Sequence, residues 1–347
     1  MRLCADWSII MANVSVLGAG SWGLGLALLL NNNGHNVTVW SVLKDEVAML
    51  QTEREHKRCL PGVKIPDSIT VSGDTENVIG SADVLVLAVA SPYTRSTAKM
   101  IAPFVKEGQI IVNVAKGVEE HTLLTLWQIV EEEIPCAKVA VLSGPSHAEE
   151  VSRGIPTTCV IGAHEKATAE YLQNIFMSDV FRVYISPDML GICIGGALKN
   201  VIALAAGVAD GLGCGDNTKA ALITRGIAEM SRLGVAMGGH IETFNGLTGI
   251  GDLIVTCSSR HSRNRKAGYL IGQGRTMQEA MDEVQMVVEG VYSARAARIL
   301  AEKYGIDMPI VNEVNKVLFE NKTAREAMAD LMLRDKKIEH PELPWKK

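Results

Sequence analysis

The chain of 347 residues lacks the features that mark several specialised classes of protein. Its seven cysteines are scattered and include no Cys-x-x-Cys pair, which favours a reduced intracellular chain over a disulfide framework. It also lacks an excess of basic residues. The formal net charge of −5 argues against a general nucleic-acid-binding protein, although a local basic cluster can still hold one phosphate.

Charged residues are absent from residues 7–43, and residues 14–30 are nearly all apolar or small. A membrane span is the competing interpretation, because about 20 apolar residues cross a bilayer. Glycines interrupt this run, however, and no cationic flank is present. We therefore expect no membrane span but a strand and a helix that are buried in a parallel sheet. Residues 1–10 make a poor signal peptide, so we expect a cytoplasmic protein in which residues 1–12 are a possible extension.

What is present is an ordinary globular composition, with 47% hydrophobic and 21% charged residues. The chain exceeds the ~100–200 residues typical of one domain, so we expect two. Segments with strand character alternate with helix-length segments, which predicts an α/β fold with an N-terminal doubly wound Rossmann-type domain over residues 1–186. From Pro187 onward the spacing is helical, which predicts a C-terminal all-α domain over residues 187–347. After the strand that starts at Val14, the predicted strands cover 36–40, 69–71, 83–89, 109–113, 138–142, 157–161 and 180–184.

The sequence Gly18-Ala19-Gly20-Ser21-Trp22-Gly23 follows the first predicted strand and opens the first predicted helix. Gly18 allows a sharp turn, Gly20 allows close approach of a pyrophosphate, and Gly23 allows the helix to pack on the strand. Free N–H groups and the positive end of the helix dipole would then face the phosphates. The pattern predicts a dinucleotide site; the alternative is a glycine turn that binds nothing.

The end of the second predicted strand bears on the choice of cofactor. Asp or Glu usually stands there in an NAD-preferring Rossmann unit, about 20 residues after the glycines. This chain has Ser41, Val42 and Leu43 instead, and they are followed by Lys44, which could meet a 2′-phosphate. We therefore expect NAD(P)H as the cofactor, and one lysine leaves the preference for NADP open.

Two lysines and one aspartate are candidates for the chemistry. Lys116 follows the predicted strand 109–113, and a cation at that edge of the sheet points at the cofactor crevice. Lys199 lies in a predicted helix that is apolar nearly all round, so its ammonium needs a partner. Glycines around Asp252 would tighten a loop that aims this carboxylate inward. The alternatives are an exposed loop lysine at position 116 and, at position 199, a lysine whose head reaches water.

Residues 256–265 are dense in groups that bind phosphate. Arg263 can hold a phosphate with two parallel N–H bonds, while serine hydroxyls and the Asn264 amide fill the remaining oxygens. A solvated basic turn or a nucleic-acid patch is the alternative, but the acidic chain and the single short cluster disfavour nucleic acid. Cys257 and His261 show no familiar ligand spacing, so we predict no metal.

Together and in order, these segments resemble the glycerol-3-phosphate dehydrogenases of the NAD(P)-dependent, bacterial biosynthetic type. Each motif is weak by itself, whereas the ordered set is highly specific. The family often has an arginine just after the second strand, where this chain has Val42. The matching segments are Gly18–Gly23, Leu60–Gly62, Ala115–Gly117, Ser143–Ala148, Gly196–Asn200, Gly249–Leu253, Ser262–Asn264 and Val288–Gly290.

The resemblance implies that a homodimer interconverts dihydroxyacetone phosphate and sn-glycerol 3-phosphate with NAD(P)H, and so supplies phospholipid synthesis. Lys199 matches the catalytic lysine of the family, with Lys116 and Asp252 beside it. Beyond the glycine turn, the matches to cofactor contacts are Ser21, Trp22, Lys116, Gly144, Ser146, Ala148, Arg263, Val287 and Glu289. The matches to substrate contacts are Lys116, Gly144, Ser146, Lys199, Asp252, Ser262, Arg263 and Asn264.

Two other functions would share the predicted sheet. A reductase of the ketopantoate or 3-hydroxyacid type would also place a lysine in its helical domain, but it gives no reason for the cluster at Arg263 and Asn264. A redox-sensing dinucleotide-binding protein without turnover would leave Lys116, Lys199 and Asp252 unexplained.

Overall fold

The computed structural model describes residues 11–336, 338–339 and 344–346, so the first ten residues of the possible extension lie outside the described part. The N-terminal half is built on one sheet of eight strands. The strands are β1 (Asn13–Leu17), β2 (Asn36–Trp40), β3 (Thr70–Ser72), β4 (Val84–Leu87), β5 (Ile110–Asn113), β6 (Lys138–Ser143), β7 (Thr157–Ala163) and β8 (Phe181–Ser186). Their order across the sheet is β3-β2-β1-β4-β5-β6-β7-β8.

Helices cover this sheet on both faces. Along β4, Val84 and Val86 belong to one apolar core, whereas Leu85 and Leu87 belong to another. Both faces of the strand are thus buried, as expected for a parallel sheet between helices. The helices of this half are α1 (Ser21–Asn32), α2 (Lys44–Glu53), α3 (Thr75–Gly80), α4 (Thr94–Ile101), α5 (Leu126–Glu133), α6 (Ala148–Val151) and α7 (Lys166–Phe176). The predicted N-terminal Rossmann-type sheet is confirmed.

Two local details shape the N-terminal half. Helix α2 ends at Glu53 because Arg54 adopts a left-handed conformation with φ 52°. The Arg54 guanidinium then donates to backbone carbonyls, including that of Ile69 at 2.8 Å. In addition, β7 runs antiparallel to β6. The segment between them carries only the four-residue helix α6, and a parallel neighbour would need a longer crossover.

The C-terminal half is helical throughout its described residues, as predicted. Its helices are α8 (Met189–Gly211), α9 (Asp216–Ala236), α10 (Ile241–Phe244), α11 (Asp252–Ser258), α12 (Arg263–Gly272), α13 (Met277–Val284), α14 (Glu289–Tyr304), α15 (Pro309–Phe319) and α16 (Ala324–Met332). Other helices pack around α8, which Asp188 caps by accepting a hydrogen bond of 2.8 Å from the Gly191 N–H. By length and composition α8 is the one helix within the described ranges that could cross a membrane, yet 89% of its most apolar window is buried. Such burial is typical of a core helix.

The closest helix contact in this half joins α8 to α12 through four glycines. Gly207 and Gly211 stand one turn apart on α8, and Gly268 and Gly272 stand one turn apart on α12. A Cβ at any of these glycines would overlap a backbone carbonyl oxygen of the other helix. The two backbones therefore approach more closely than any larger residue would allow. This contact determines how near the start of α12 lies to the middle of α8.

We expect Gly268→Ala to lower the free energy of unfolding by on the order of 3 kcal/mol, because its methyl group would overlap the Leu204 carbonyl of α8. In an isolated helix the same change would be favourable. Urea denaturation measures the effect. Gly80→Ala is the control, since no heavy atom lies within 4 Å of a Cβ at that position. Equal stability of the two variants would contradict the proposed contact.

Candidate active site

A cleft of about 210 Å³ lies between the sheet and the helical half. On the sheet side it is lined by segments that follow β1, β4 and β5, where ligands bind in open α/β sheets. On the helical side it is lined by residues of α8, α11, α12 and the start of α14. The predicted residues that line the cleft are Gly20, Ser21, Trp22, Lys116, Ser146, Ala148, Lys199, Ser262, Arg263, Asn264, Val287 and Glu289.

The glycine turn shapes the end of the cleft that follows β1. Gly18 has φ +120°, and its N–H donates to the Trp40 carbonyl at 2.9 Å. A Cβ at Gly18 would lie 2.8 Å from the Ala88 carbonyl oxygen, and one at Gly23 would overlap the Gly18 carbonyl oxygen. Gly20, in contrast, has no heavy atom within 4 Å of a Cβ position and faces the cleft. The open side of Gly20 is thus where a pyrophosphate could approach the backbone.

A single buried carboxylate joins the two halves at the centre of the site. Lys199 on α8 donates to Asp252 Oδ1 at 2.9 Å and to Thr256 Oγ1 at 2.7 Å. Lys116, after β5, donates to Asp252 Oδ2 at 2.6 Å and to the Gly144 carbonyl at 2.9 Å. The three groups carry a net charge of +1. Such a cluster attracts a negatively charged ligand or a developing oxyanion.

Glycine contacts explain why Asp252 reaches Lys199. The turn before α11 spans Leu247–Gly251 and packs directly on α8. A Cβ at Gly195 of α8 would lie 2.7 Å from the Thr248 carbonyl oxygen. A side chain at Gly195 would thus push the turn away from α8 and carry the Asp252 carboxylate with it.

Burial and charge together set the ionisation of this group. Lys199 is only 6% exposed, and burial lowers its pKa to about 8; the Lys116 ammonium acts in the same direction, whereas Asp252 opposes it. Burial would raise the pKa of Asp252, but the two ammonium groups outweigh it and hold that pKa below its ordinary value. Asp252 therefore stays ionised, while Lys199 can exchange a proton near neutral pH.

The start of α12 supplies the candidate phosphate ligands. Ser262 caps the helix, its hydroxyl oxygen accepting from the Arg265 N–H at 3.2 Å. Arg263 makes no hydrogen bond or ion pair with any residue that the structure describes, so its guanidinium donors remain free for a ligand. Asn264 is more occupied than predicted: it donates to Asn200 Oδ1 at 2.9 Å and accepts from the Gly290 N–H at 2.8 Å. One N–H of its amide is left for a phosphate.

Four predicted residues do not line the cleft but support the residues that do. Gly18 and Gly23 shape the turn, and Asp252 holds the two lysines. Gly144 has φ +144°, and its carbonyl accepts from Lys116 and from the Ser146 hydroxyl at 3.0 Å. Gly144 thus orients two residues that do line the cleft.

Sequence reasoning missed Thr256 and Ser91. Thr256 stands four residues after Asp252 on the same face of α11, a spacing that places both side chains beside Lys199. Ser91 follows β4 at the ligand edge and donates to Glu289 from α14. His147 also lines the cleft, with its Nε2 buried and without a hydrogen-bond partner among the described residues. His147 and Thr256 lie in segments singled out from the sequence, 143–148 and 256–265, whereas Ser91 lies in neither.

The end of β2 leads to Lys44, the residue with a suggested role on the adenosine side of the cofactor. Lys44 begins α2 and shares a surface hollow with Lys57 and Arg58. The suggested contact of Lys44 with a 2′-phosphate, and with it any preference for NADP, stays a prediction.

Comparisons with known proteins identify the family. Residues 13–169 match the model of the N-terminus of NAD-dependent glycerol-3-phosphate dehydrogenase, and residues 188–329 match the model of its C-terminus. A glycerol-3-phosphate dehydrogenase [NAD(P)+] from Agathobacter rectalis is 66% identical over 97% of this chain and 100% of its own length. That from Fusobacterium nucleatum is 60% identical over 95% of this chain and 99% of its own length. The chain belongs to the NAD(P)-dependent glycerol-3-phosphate dehydrogenase family.

Solved structures agree with this assignment. A glycerol-3-phosphate dehydrogenase from Coxiella burnetii superposes with a TM-score of 0.90 at 34% identity, covering 93% of this chain and 99% of its own. The protein is thus an oxidoreductase that interconverts dihydroxyacetone phosphate and glycerol 3-phosphate with NAD(P)H. The family assignment decides against the two competing functions. The site suits this cofactor, because Gly20 opens onto the cleft and the same cleft is lined by Lys116 and Glu289.

Asp252→Asn should destabilise the folded enzyme by about 3–5 kcal/mol, because it leaves the buried Lys199 ammonium and the partly buried Lys116 ammonium without their shared carboxylate. Urea denaturation at pH 7 measures the loss. The control is Asp330→Asn, which removes the exposed partner of Lys322 on α16 and should change stability little. If both variants unfold at the same urea concentration as the unaltered enzyme, the buried arrangement around Asp252 is wrong.

Proposed function

We propose roles for the cleft residues in the reaction of this dehydrogenase. The observation that carries the proposal is the pair of ammonium groups that share Asp252 at the ligand edge of the sheet. When bound, NAD(P)H supplies the hydride that reduces the C2 carbonyl of dihydroxyacetone phosphate. Negative charge then develops on the carbonyl oxygen, which calls for a preorganised donor that can also release a proton.

Lys199 meets both requirements. An ammonium has three N–H donors, and Asp252 and Thr256 accept two of them. The third remains for the substrate oxygen, since Lys199 lines the cleft. Protonated Lys199 stabilises the oxygen and donates the proton in reduction, and neutral Lys199 accepts it in oxidation.

Lys116, from the sheet half, and Asp252, from α11 of the helical half, both support Lys199. Lys116 has two of its donors engaged, by Asp252 and Gly144, and one left for the substrate. Burial is the largest cause of the lowered pKa of Lys199, and the charge of Lys116 lowers that pKa further. Asp252 orients both ammonium groups. Its negative charge also favours the protonated form of Lys199, which can bind a phosphorylated ligand.

The phosphate of the triose would bind at the start of α12. Arg263 brings free guanidinium donors, and the N-terminus of this ten-residue helix adds its positive dipole end. Ser262 and Asn264 offer a hydroxyl and an amide N–H beside it. A phosphate held here fixes C2 near Lys199, and such positioning is a large part of catalysis for a small substrate.

On the resemblance to the family we further propose that the protein is a homodimer whose product supplies phospholipid synthesis. The scattered cysteines support a cytoplasmic location. We also place the domain boundary after residue 186. The short link between the end of β8 at Ser186 and the start of α8 at Met189 supports that boundary.

Lys199→Ala should lower turnover by about 10²–10³-fold, as the loss of a preorganised electrostatic group typically does. In the unaltered enzyme the rate of reduction should fall as the pH rises through about 8, because Lys199 loses the proton it must donate. The rate of oxidation should rise over the same interval. Steady-state rates in both directions between pH 6 and 10 measure this.

The matched control for this prediction is Lys138→Ala, which alters a half-exposed lysine paired with Glu165 at the start of β6. It should keep both rates and both pH profiles. A Lys199→Ala enzyme with normal folding and near-normal turnover would remove Lys199 from the chemistry, even if the protein remains a dehydrogenase.

Arg263→Ala should raise KM for dihydroxyacetone phosphate by about 10- to 100-fold, the usual effect of losing charge-assisted hydrogen bonds. Arg263→Lys should recover part of the loss, since it keeps the charge but not the fork of donors. The rate with unphosphorylated dihydroxyacetone should barely change. An equal loss of activity with both substrates would show that Arg263 does not bind the phosphate.

A further inference from the structure

A second contact joins the two halves beside the cleft, between Ser91 and Glu289. Ser91 comes shortly after β4 and belongs to the sheet half, whereas Glu289 is the first residue of α14 in the helical half. The Ser91 N–H donates to Glu289 Oε1 at 3.1 Å, and its hydroxyl donates to Glu289 Oε2. One serine therefore satisfies both oxygens of the carboxylate.

The surroundings give this contact its importance. Glu289 is partly buried at the wall of the cleft and makes no salt bridge with a described residue. Burial raises its pKa, whereas the hydrogen bonds from Ser91 and the more distant charges of Arg263 and Lys199 lower it. A partly buried carboxylate without a cation in direct contact depends on its hydrogen bonds for a fixed position. Ser91 is the residue that supplies them.

Ser91 also touches the turn that carries Lys116. A Cβ at Gly117 would lie 2.8 Å from the Ser91 Cβ and 3.8 Å from Glu289 Oε2. The glycine next to Lys116 thus packs against the serine that holds Glu289. A displacement of Ser91 would therefore disturb Glu289, which faces the cofactor, and also Lys116, which faces the substrate.

The position in the sheet indicates which part of the cofactor is concerned. In a doubly wound sheet the dinucleotide crosses the switch point, so that one half of the sheet holds the adenosine and the other the nicotinamide. Here the glycine turn follows β1, and Ser91 follows β4 on the other side of that point. Glu289 lines the cleft, and its carboxylate lies beside Gly117, the residue after Lys116, which favours a position near the lysines of the reacting end.

We propose that Ser91 is a positioning residue: it holds Glu289 of the helical half against the sheet half, and thereby forms the wall against which the nicotinamide binds. The inference rests on the proposed contact of Glu289 with the cofactor and extends it to a residue that makes the contact possible. Ser91 itself acts through Glu289 and does not touch the reacting atoms.

The test is equilibrium binding of NADPH, followed through the fluorescence of Trp22, which lines the same cleft. Ser91→Ala should raise Kd for NADPH by about tenfold, since it removes one hydrogen bond to a partly buried carboxylate. In steady-state assays KM for NADPH should rise by a similar factor, with kcat changed much less. Ser91→Thr keeps the hydroxyl and should bind NADPH more tightly than Ser91→Ala.

The control is Ser96→Ala, in the same segment, where an exposed serine donates only to the Tyr93 carbonyl; it should leave Kd unchanged. Thermal unfolding of each variant checks that the fold is intact. The decisive comparison is the double variant with Glu289→Gln. If Ser91 acts through Glu289, the two substitutions together should weaken binding no more than Glu289→Gln alone.

The outcomes separate this inference from the function proposed above. If Glu289→Gln weakens NADPH binding but Ser91→Ala does not, or if their effects add, the positioning role of Ser91 is overturned. If Glu289→Gln leaves binding unchanged, the cofactor contact of Glu289 fails, and the role of Ser91 fails with it. Neither outcome touches the reduction of dihydroxyacetone phosphate, which the activity of the unaltered enzyme tests separately.

Discussion

The site depends on one buried carboxylate that serves two ammonium groups. Asp252, Lys116 and Lys199 come from different elements, and a buried charge is costly unless a partner compensates it. Each lysine therefore needs the aspartate, and the aspartate needs both lysines to remain ionised. Because Lys116 belongs to the sheet half and the other two to the helical half, the chemistry exists only when the halves are packed together.

The same arrangement explains how a lysine can act as an acid near neutral pH. An ordinary lysine keeps its proton too firmly to exchange it during catalysis. Burial on α8 lowers the pKa of Lys199, and the neighbouring ammonium of Lys116 lowers it further. Asp252 acts in the opposite direction and favours the protonated form. The balance leaves Lys199 charged in part of the population and neutral in the rest, as a reversible dehydrogenase requires.

Glycines without any motif of their own determine the distances in this site. The four glycines between α8 and α12 bring the candidate phosphate ligands at the start of α12 beside Lys199. Gly195 lets the turn before Asp252 settle on α8, and Gly117 lets Ser91 pack beside Lys116. Gly18 and Gly23 were recognisable because they stand in a known spacing after a strand. The sequence does not show which residues the other glycines contact, because each of those partners is distant in the chain.

The sequence by itself determined the alternation of strands and helices, the glycine turn, the helical second half and the ordered motifs of the family, because these are local patterns or matches along the chain. Only the tertiary structure decided which side chains meet. Asp252 bridges two lysines, and the Gly144 carbonyl accepts from Lys116. Asn264 is hydrogen-bonded to Asn200 and Gly290, and Ser91 is hydrogen-bonded to Glu289. Side-chain partners lie 26 to 198 residues apart in these contacts. No local pattern encodes such pairs; packing of the two halves selects them.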